Sequence, residues 1–351
     1  MSEMQAVDFR SDFIARPTPK MIEAMARAAG EPCAFGLRED KYQAALEARA
    51  AELLGKEDAL FVPTCGMANQ IAIHLFAGPG RAILCEERSH IITSEGGAAA
   101  ALTGATIRAL PGKRGAMDLT ALEQAALTPA AEAYPKTAMI VIENTHVRYG
   151  GTVLPEAHCA AVAEIGRRGK VPVHLDGARI FNAAIASGRP ATDYTRHAVT
   201  VAASLNKGLC APIGAVLAGP KTLIEEAVRV RQMFGGGFRP VGTIAAAALV
   251  ALDTMIDRLA EDHARAKRLA NGLANQPGLS IDPGEVETNL VVPTLTALAP
   301  EEFCERLAKE GVLAIPFGPS VVRFAIHNDI DDAGVDRAIA AVARVLRKSA
   351  A

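Results

Sequence analysis

The middle of the chain alternates short, continuously apolar runs with stretches of helical periodicity, and this alternation constrains the fold more than any other feature. Strands buried on both faces read as unbroken apolar runs, whereas half-exposed strands alternate apolar and polar residues. Helix candidates such as Leu119–Ala126 and Ala157–Arg168 lie between the runs. We therefore expect an α/β fold with a mostly parallel, seven-stranded sheet covered by helices on both faces. The seven predicted strands are Leu60–Pro63, Ala82–Cys85, Thr106–Leu110, Ala138–Glu143, Val171–Asp176, Val199–Ser204 and Ile213–Ala218.

The pattern changes after Pro240. The apolar spacing of Val241–Gln276 predicts one long helix or two. Because 351 residues exceed what one hydrophobic core organises, we expect a large domain over residues 1–245, opened by an N-terminal arm over 1–20, and a smaller α/β domain over 246–351. In the smaller domain we predict strands around Asn289–Val292, Leu313–Phe317 and Val321–Ile326, and helices at Pro300–Glu310 and Asp331–Lys348.

Composition and charge argue against several classes of protein. The 37 basic and 39 acidic residues leave a formal net charge of −2, which does not favour a nucleic-acid-binding surface. The longest apolar run, near Ala245–Leu252, is far shorter than the roughly 20 residues of a membrane-spanning helix, and Met1–Asp12 has no apolar signal-peptide core. Six cysteines without a CxxC pair fit reduced thiols rather than disulfides or a zinc site. We expect a cytoplasmic protein with a small-molecule substrate and neither a nucleic-acid or membrane partner nor a metal.

Polar side chains follow three consecutive central strands. These are His146 after the first, Asp176 and Arg179 at the end of the second, and Lys207 after the third. Because ligands bind beyond the carboxyl ends of the strands in an open parallel sheet, we expect these side chains at one edge. An imine-forming lysine and a carboxylate that keeps a ring nitrogen protonated are the two groups that a pyridoxal phosphate enzyme requires. The same spacing also fits a purely structural interpretation, in which Asp176 caps its own turn and Lys207 is a surface lysine. Both interpretations stay open.

Three further positions are candidates, each with a structural alternative. Thr64–Gly66 begins a predicted helix whose first N–H groups would bind a phosphate, unless Thr64 simply caps that helix. His90 offers a planar ring to cover a cofactor in a chain without tryptophan, although a lone histidine is more often structural. Arg323 lies in an apolar strand and must be paired. It either binds a ligand carboxylate through two parallel hydrogen bonds, together with Arg179, or forms an inter-domain salt bridge.

In their order along the chain, these segments resemble the threonine aldolases, pyridoxal phosphate enzymes of the aspartate aminotransferase type, known as fold type I. The similarity covers almost the whole chain. Three segments depart from the family pattern: Thr64–Gly66 replaces SGT, Pro32–Lys41 replaces DDVYGEDPTVN, and Val147 replaces a frequent asparagine. The matching segments are Asp8–Asp12 with Arg16–Thr18 (DLRSDTxTxPT), Met67–Asn69, His90–Gly97 (HIxxxEGG), Glu143–His146 (ENTH), His174–Arg179 (HLDGAR), Leu205–Gly214, Gly235–Arg239 and Arg323–His327.

The resemblance implies a role for each candidate residue and an oligomeric state. Lys207 would hold the cofactor covalently, Asp176 would pair with its pyridine nitrogen, and His90 would stack on its ring. His90 would also lie near the substrate hydroxyl, with His146 close by. The other implied ligands are Cys65 and Gly66 for the phosphate, Arg179 for cofactor and substrate, and Ser11 and Arg323 for the substrate carboxylate. The family resemblance also implies a homotetramer, a dimer of dimers with active sites at subunit interfaces.

The implied reaction is cleavage of a β-hydroxy-α-amino acid, such as L-threonine, L-allo-threonine or phenylserine, into glycine and an aldehyde. His90, His146 or a bound water would handle the hydroxyl proton, since histidine titrates near neutral pH. The altered Pro32–Lys41 segment keeps a second hypothesis open, another pyridoxal phosphate lyase such as a β-eliminating amino-acid lyase. A binding protein without turnover would not need both Lys207 and Asp176. A nicotinamide dehydrogenase is disfavoured because no GxGxxG follows the first strand of a β-α-β unit.

Overall fold

The computed structural model describes residues 6–128 and 133–347. The expected helix end at Lys348 and the first five residues of the expected N-terminal arm lie outside the described residues. The helices are α1 (Pro19–Ala29), α2 (Lys41–Leu54), α3 (Cys65–Phe76), α4 (His90–Thr93), α5 (Ala98–Thr103), α6 (Leu119–Leu127), α7 (Glu156–Gly169), α8 (Ile180–Ser187), α9 (Thr192–Thr195), α10 (Lys221–Met233), α11 (Gly242–Thr254), α12 (Leu259–Leu273), α13 (Pro300–Lys309) and α14 (Asp332–Arg347). The strands are β1 (Val7–Asp8), β2 (Asp58–Val62), β3 (Arg81–Glu86), β4 (Thr106–Leu110), β5 (Gly112–Lys113), β6 (Ala116–Met117), β7 (Lys136–Glu143), β8 (Val173–Asp176), β9 (Thr200–Ser204), β10 (Ala215–Gly219), β11 (Leu279–Ser280), β12 (Leu290–Val291), β13 (Thr294–Leu295), β14 (Val312–Leu313), β15 (Ile315–Gly318) and β16 (Val321–Ala325).

Seven strands form the central sheet in the order β2-β10-β9-β8-β7-β3-β4. The strands from β9 to β4 in this order are mutually parallel, and β10 runs antiparallel to both β9 and β2. Every residue of β8, β9 and β10 is buried, which explains why β10 and the middle of β9 are apolar without alternation. The polar residues His174 and Asp176 of β8 are buried as well. The expectation of a mostly parallel seven-stranded sheet in an α/β fold is confirmed.

Two of the apolar clusters in the described residues show where the chain passes from the central sheet to the second sheet. Helices α1, α2 and α11 pack together against the core of the central sheet, and that core includes Leu259. A second core is formed by α12 from Ala266 onward, by α13 and α14, and by the sheet β11-β13-β16-β12. Strand β15 pairs with β16 of this sheet. The segment Val241–Gln276 therefore contains two helices, one of the two expected alternatives. The expected boundary after residue 245 stays a prediction, and the packing passes from one core to the other between Leu259 and Ala266.

The N-terminal segment links the second core to the central sheet. Strand β1 pairs in parallel with β14, and the ring of Phe9 packs against that of Phe324 at 5.8 Å between centroids. The N–H of Ala325 donates to the carbonyl of Phe9 at 2.8 Å. These contacts fix the path of the chain, so that residues 10–13 arrive at the carboxyl edge of the central sheet.

The carboxyl ends of β7, β8 and β9 lie side by side. In the strand register Glu143 is the partner of Asp176, and Asp176 is the partner of Ala202. The residues that follow these strands are therefore delivered to one edge of the sheet, as expected for an open parallel sheet. Within the described ranges, no helix combines the length and the apolar character needed to cross a bilayer.

Candidate active site

Asp176 ends β8 and presents a buried carboxylate at the sheet edge. Its Oδ2 accepts a hydrogen bond from Asn69 Nδ2 at 2.8 Å, and its Oδ1 accepts one from the Ala178 N–H at 3.2 Å. Cys65 Sγ lies 3.9 Å from Oδ1. Asp176 thus does contact the turn that follows it, as one interpretation expected, but a side chain from α3 also holds the carboxylate in a fixed orientation.

Lys207 is buried two residues beyond Leu205, in the segment that follows β9. Its amine makes no hydrogen bond or ion pair within the described parts of the chain, and it lies 4.9 Å from the centroid of the Phe13 ring. Burial, followed by the nearby charge of Arg179, lowers the pKa of Lys207. A lower pKa increases the neutral fraction of the amine, which is the form that attacks a carbonyl group. The interpretation of Lys207 as a surface lysine does not fit this position.

The start of α3 combines a helix cap with two free backbone donors. Thr64 Oγ1 accepts from the Met67 N–H at 3.1 Å, so Thr64 is the cap that one interpretation expected. The N–H groups of Cys65 and Gly66, also in the first turn, donate to no group in the described residues. Unpaired N–H groups at a helix N-terminus favour an anion, so this end of α3 can hold a phosphate.

Asn69 connects Asp176 to a second carboxylate. Its Nδ2 donates to Asp176 Oδ2 and to Glu95 Oε1, both at 2.8 Å, and its Oδ1 lies 3.0 Å from His174 Nε2. Burial lowers the pKa of His174 to about 4, so this histidine is neutral. Sequence reasoning did not assign site roles to Asn69, Glu95 or His174. The available signal was the polar pair Asn69-Gln70 inside the otherwise apolar sequence of α3.

His90 belongs to the same network. Its Nδ1 donates to Glu95 Oε1 at 2.9 Å, and its backbone N–H donates to Glu143 Oε2 at 2.7 Å. Burial alone would lower the pKa of His90, but the hydrogen bond to Glu95 and the charge of Asp176 outweigh it and raise the pKa. The structure therefore places His90 in the hydrogen-bonded network that contains Asp176.

His90, Glu95 and Asp176 also form a group that could hold a metal ion. Their ligand atoms all lie within 4.8 Å of one another. The Nδ2 of Asn69 lies between the two carboxylates and donates to both, and a cation there would face these N–H groups. The donor set thus suits a hydrogen-bonded network better than it suits a cation.

His146 is placed apart from the other candidates. Its side chain is completely buried, with Nε2 3.1 Å from Glu86 Oε2 and 3.8 Å from Glu143 Oε2. Its ring packs on that of Tyr149 at 5.0 Å between centroids. No contact of the described residues joins its ring to Lys207 or Asp176. Within the described ranges, Glu143 connects it to His90, and its catalytic role stays a prediction.

Residues 10–13 lie at the same edge, where Arg179 and Arg323 contact them. Arg179 is buried and forms a bidentate pair with Asp12, at 2.8 Å from both Nε and Nη2. Burial alone would raise the pKa of Asp12, but the charge and hydrogen bonds of Arg179 lower it well below its usual range. Ser11 Oγ accepts from the Phe13 N–H at 3.3 Å. Sequence reasoning missed Asp12 and Phe13, because a buried partner of a distant arginine leaves no local pattern.

Arg323 pairs with no carboxylate of the described residues. Its Nη2 donates to the carbonyl of Arg10 at 2.8 Å, and its guanidinium lies 4.9 Å from the centroid of the Phe317 ring. Its Nε is buried and unpaired in the described part of the chain. Burial and the charge of Arg179 lower the pKa of Arg323 to about 10, still above neutrality, so the side chain stays charged. An inter-domain salt bridge is absent from the described residues, and a ligand carboxylate would satisfy the free donor.

These groups fit pyridoxal phosphate. A buried amine without a partner, a fixed carboxylate on the adjacent strand and two free N–H groups at a helix start match the aldehyde, the ring nitrogen and the phosphate. The fold and the site define a fold type I, pyridoxal-phosphate-dependent enzyme. The sequence model of the family described as Beta-eliminating lyase matches residues 8–296. The chain belongs to this family, and its expected resemblance to the threonine aldolases is confirmed by the relatives that it matches.

Two curated relatives are similar over almost their whole length. Low-specificity L-threonine aldolase 1 of Arabidopsis thaliana is 37% identical over 338 residues, which cover 95% of this chain and 94% of that protein. The low specificity L-threonine aldolase of Escherichia coli (strain K12) is 36% identical over 326 residues, with 92% and 94% covered. Among solved structures, the threonine aldolase of Leishmania major has a TM-score of 0.83 at 20% identity, with 97% of this chain and 99% of that chain covered. At that identity the structure supports the fold alone.

Proposed function

We propose that the protein is an aldehyde-lyase that uses pyridoxal 5'-phosphate to cleave a β-hydroxy-α-amino acid, of the threonine, allo-threonine or phenylserine type, into glycine and an aldehyde. The observation that carries the proposal is the pair Lys207 and Asp176. The amine is buried and unpaired, and the carboxylate is fixed by Asn69 at the end of the neighbouring strand. The threonine aldolases among the relatives support the same reaction.

Lys207 and Asp176 are the residues that would hold the reactive part of the cofactor. The lowered pKa of Lys207 favours a neutral amine, which would hold the cofactor through its aldehyde. Asp176 would keep the ring nitrogen protonated. When bound, pyridoxal phosphate supplies an electron sink for the electron pair of the breaking Cα–Cβ bond. Cys65 and Gly66 would bind the phosphate through their backbone N–H groups, and the charge of Arg179 is close enough to Lys207 to lower the pKa of its amine.

The proposed proton acceptor for the substrate hydroxyl is His90, directly or through a water. Its Nδ1 is engaged by Glu95, and no described residue hydrogen-bonds its Nε2, which leaves that nitrogen free to accept a proton. His146 is buried beside Glu86, and in the described part of the chain it is connected to His90 through Glu143. We assign His146 a supporting role rather than contact with the substrate.

The substrate carboxylate is proposed to bind between Arg323, Ser11 and Arg179. Arg323 supplies an uncompensated charge and a free Nε donor. Arg179 already pairs with Asp12 through Nε and Nη2, so its Nη1 is the nitrogen that remains for a ligand. A carboxylate held here would fix the rotation of the substrate about its Cα, and thereby align the breaking bond.

We propose that the active protein is a cytoplasmic homotetramer, a dimer of dimers. Support for assembly comes from Phe13, which lies against the Lys207 amine although 54% of it is exposed, and from Ile14 and Ile22 nearby in sequence, 41% and 56% exposed. Large apolar side chains exposed beside a site favour burial by another surface. Light scattering coupled to gel filtration of the purified protein tests the oligomeric state, and a monomeric mass in an active preparation would contradict it.

Cleavage assays test the reaction. The protein loaded with pyridoxal phosphate is expected to release glycine and the matching aldehyde from threonine, allo-threonine or phenylserine. Lys207→Ala should lose both the visible absorption of the bound cofactor and turnover, while Lys309→Ala, which changes an exposed lysine on α13, should keep both. Release of ammonia from β-substituted amino acids, without aldehyde from any β-hydroxy amino acid, would instead favour a β-eliminating lyase.

A further inference from the structure

Glu95 is held by donors from two other elements. The side chain of Glu95 is only 5% exposed. Its Oε1 accepts from Asn69 Nδ2 at 2.8 Å and from His90 Nδ1 at 2.9 Å, and its Oε2 accepts from Gln70 Nε2 at 2.6 Å. Both amides lie on the buried face of α3. A carboxylate that accepts three such bonds is anionic and cannot rotate away from His90.

The orientation of the Asn69 amide is fixed from the opposite side. His174 is neutral and completely buried, with Nε2 facing Asn69 Oδ1 and Nδ1 facing Thr200 Oγ1 at 2.9 Å. Since an amide oxygen only accepts, His174 carries its proton on Nε2 and accepts the Thr200 hydroxyl proton at Nδ1. Carboxylate oxygens also only accept, so Asn69 directs its NH₂ group toward Glu95 and Asp176 and its oxygen toward His174.

Gln70 holds the Glu95 carboxylate although its own amide oxygen is left without a partner. Its Nε2 donates to Glu95, while its Oε1 is buried without a hydrogen-bond partner in the described residues. An unsatisfied buried oxygen is energetically unfavourable. In the described residues, the hydrogen bond that this side chain makes holds the Glu95 carboxylate.

We propose that Glu95 is a positioning residue that keeps the proton of His90 on Nδ1, and that it thereby makes Nε2 the nitrogen which exchanges a proton during cleavage. The anionic carboxylate at Nδ1 forces that nitrogen to donate. It also stabilises the imidazolium that forms once Nε2 accepts a proton, as the carboxylate of a catalytic triad does for its histidine. This inference rests on the role of His90 in the proposed function.

The pH dependence of His90 reactivity in the holoenzyme tests the inference without using catalysis. Diethyl pyrocarbonate modifies only unprotonated imidazole, and peptide mass spectrometry reads the modification at His90. In Glu95→Gln the midpoint of this modification should move to lower pH, because the amide removes the charge that favours the imidazolium. Glu95→Asp, which keeps the charge, should retain a midpoint close to that of the wild type. Glu87→Gln removes an exposed carboxylate three residues before His90 and is the matched control, with no expected shift.

Kinetics distinguish this inference from the proposed function. Glu95→Gln should lower kcat by about 10–100-fold with little change in KM, a fraction of the ~10²–10⁴-fold that a positioned general base contributes. The acidic limb of the kcat profile should move in the same direction as the modification midpoint. An unchanged midpoint in Glu95→Gln that still binds the cofactor would overturn the inference, even if the wild type cleaves β-hydroxy amino acids. A shifted midpoint in a protein that cleaves none of them would support the inference and overturn the proposed function.

Discussion

The arginines near the proposed carboxylate site differ in how their positive charge is compensated. Arg179 is neutralised by Asp12 and Arg10 by Asp8, whereas Arg323 and Arg148 pair with no carboxylate of the described residues. Arg148 and Arg323 both lie 4.9 Å from the centroid of the Phe317 ring. Only Arg323 also has a buried, unsatisfied Nε. That difference makes Arg323, rather than its neighbours, the expected ligand for a substrate carboxylate.

Replacing Arg323 should therefore weaken substrate binding more than it slows the bond cleavage. Hydrogen bonds to charged groups contribute about 1.5–3 kcal/mol, so Arg323→Gln should raise KM by roughly 10–100-fold, with a smaller effect on kcat. Arg148→Gln removes the other guanidinium on Phe317 and is the matched control, expected to change KM much less. Steady-state kinetics on both variants measure the difference, and equal effects would mean that the stacking rather than the carboxylate contact matters.

Among the elements, α3 contributes most to the site. Its first turn offers the free N–H groups of Cys65 and Gly66, and its second turn presents Asn69 and Gln70 to the two carboxylates. The cap at Thr64 orients the first turn. A change in the cap should therefore affect both the stability of the helix and the binding of the phosphate.

Thr64→Ala tests this coupling. Loss of a threonine cap is unfavourable by about 1 kcal/mol, so the free energy of unfolding should fall by roughly that amount. The cofactor should also dissociate faster, because the first turn frays around its anion. Thr64→Ser keeps the hydroxyl and should behave like the wild type in both respects. Urea unfolding and the rate of cofactor release measure the two effects, and destabilisation without faster release would separate the cap from the phosphate site.

The turn of the β5–β6 hairpin lies so close to a buried ring that it leaves no room for a side chain. Its turn residue Gly115 has φ of +88°, and a Cβ there would lie 2.7 Å from the ring of the buried His146. Gly115→Ala should lower the free energy of unfolding by at least about 2 kcal/mol, since strain and overpacking act together. The double variant Gly115→Ala/His146→Ala should lose less than the sum of the single changes, because removing the ring relieves the contact. Strictly additive effects on urea unfolding would show that the strain lies in the backbone alone.

Across the whole molecule, a feature could be predicted from the sequence where it leaves a local pattern of residues. The central sheet was predictable because strands such as β2 and β10 are buried along almost their whole length and read as apolar runs. Lys207 and Asp176 were predictable because they end such runs. Asp12 pairs with an arginine 167 residues away, and the two amides that hold Glu95 lie 26 and 25 residues before it. The HIxxxEGG segment contains both His90 and Glu95, but their spacing alone does not show that the two side chains are hydrogen-bonded. The fully buried position of His146 depends on the packing of the β5–β6 turn, which its ENTH motif does not reveal.

The buried network also predicts how the whole protein responds to acid. The pKa of His174 falls from an ordinary 6.5 to about 4 on folding, so the unfolded chain binds more protons between these two values. The free energy of unfolding should therefore decrease as the pH falls from about 6.5 to about 4, by on the order of 3 kcal/mol from this group, and the loss should end below about pH 4. His174→Gln retains an N–H that can reach Asn69 but does not titrate, so its unfolding free energy should decrease less steeply over this window. Urea unfolding at several pH values measures both slopes, and an undiminished slope in the variant would assign the acid sensitivity to other groups such as His263, whose pKa burial also lowers to about 4.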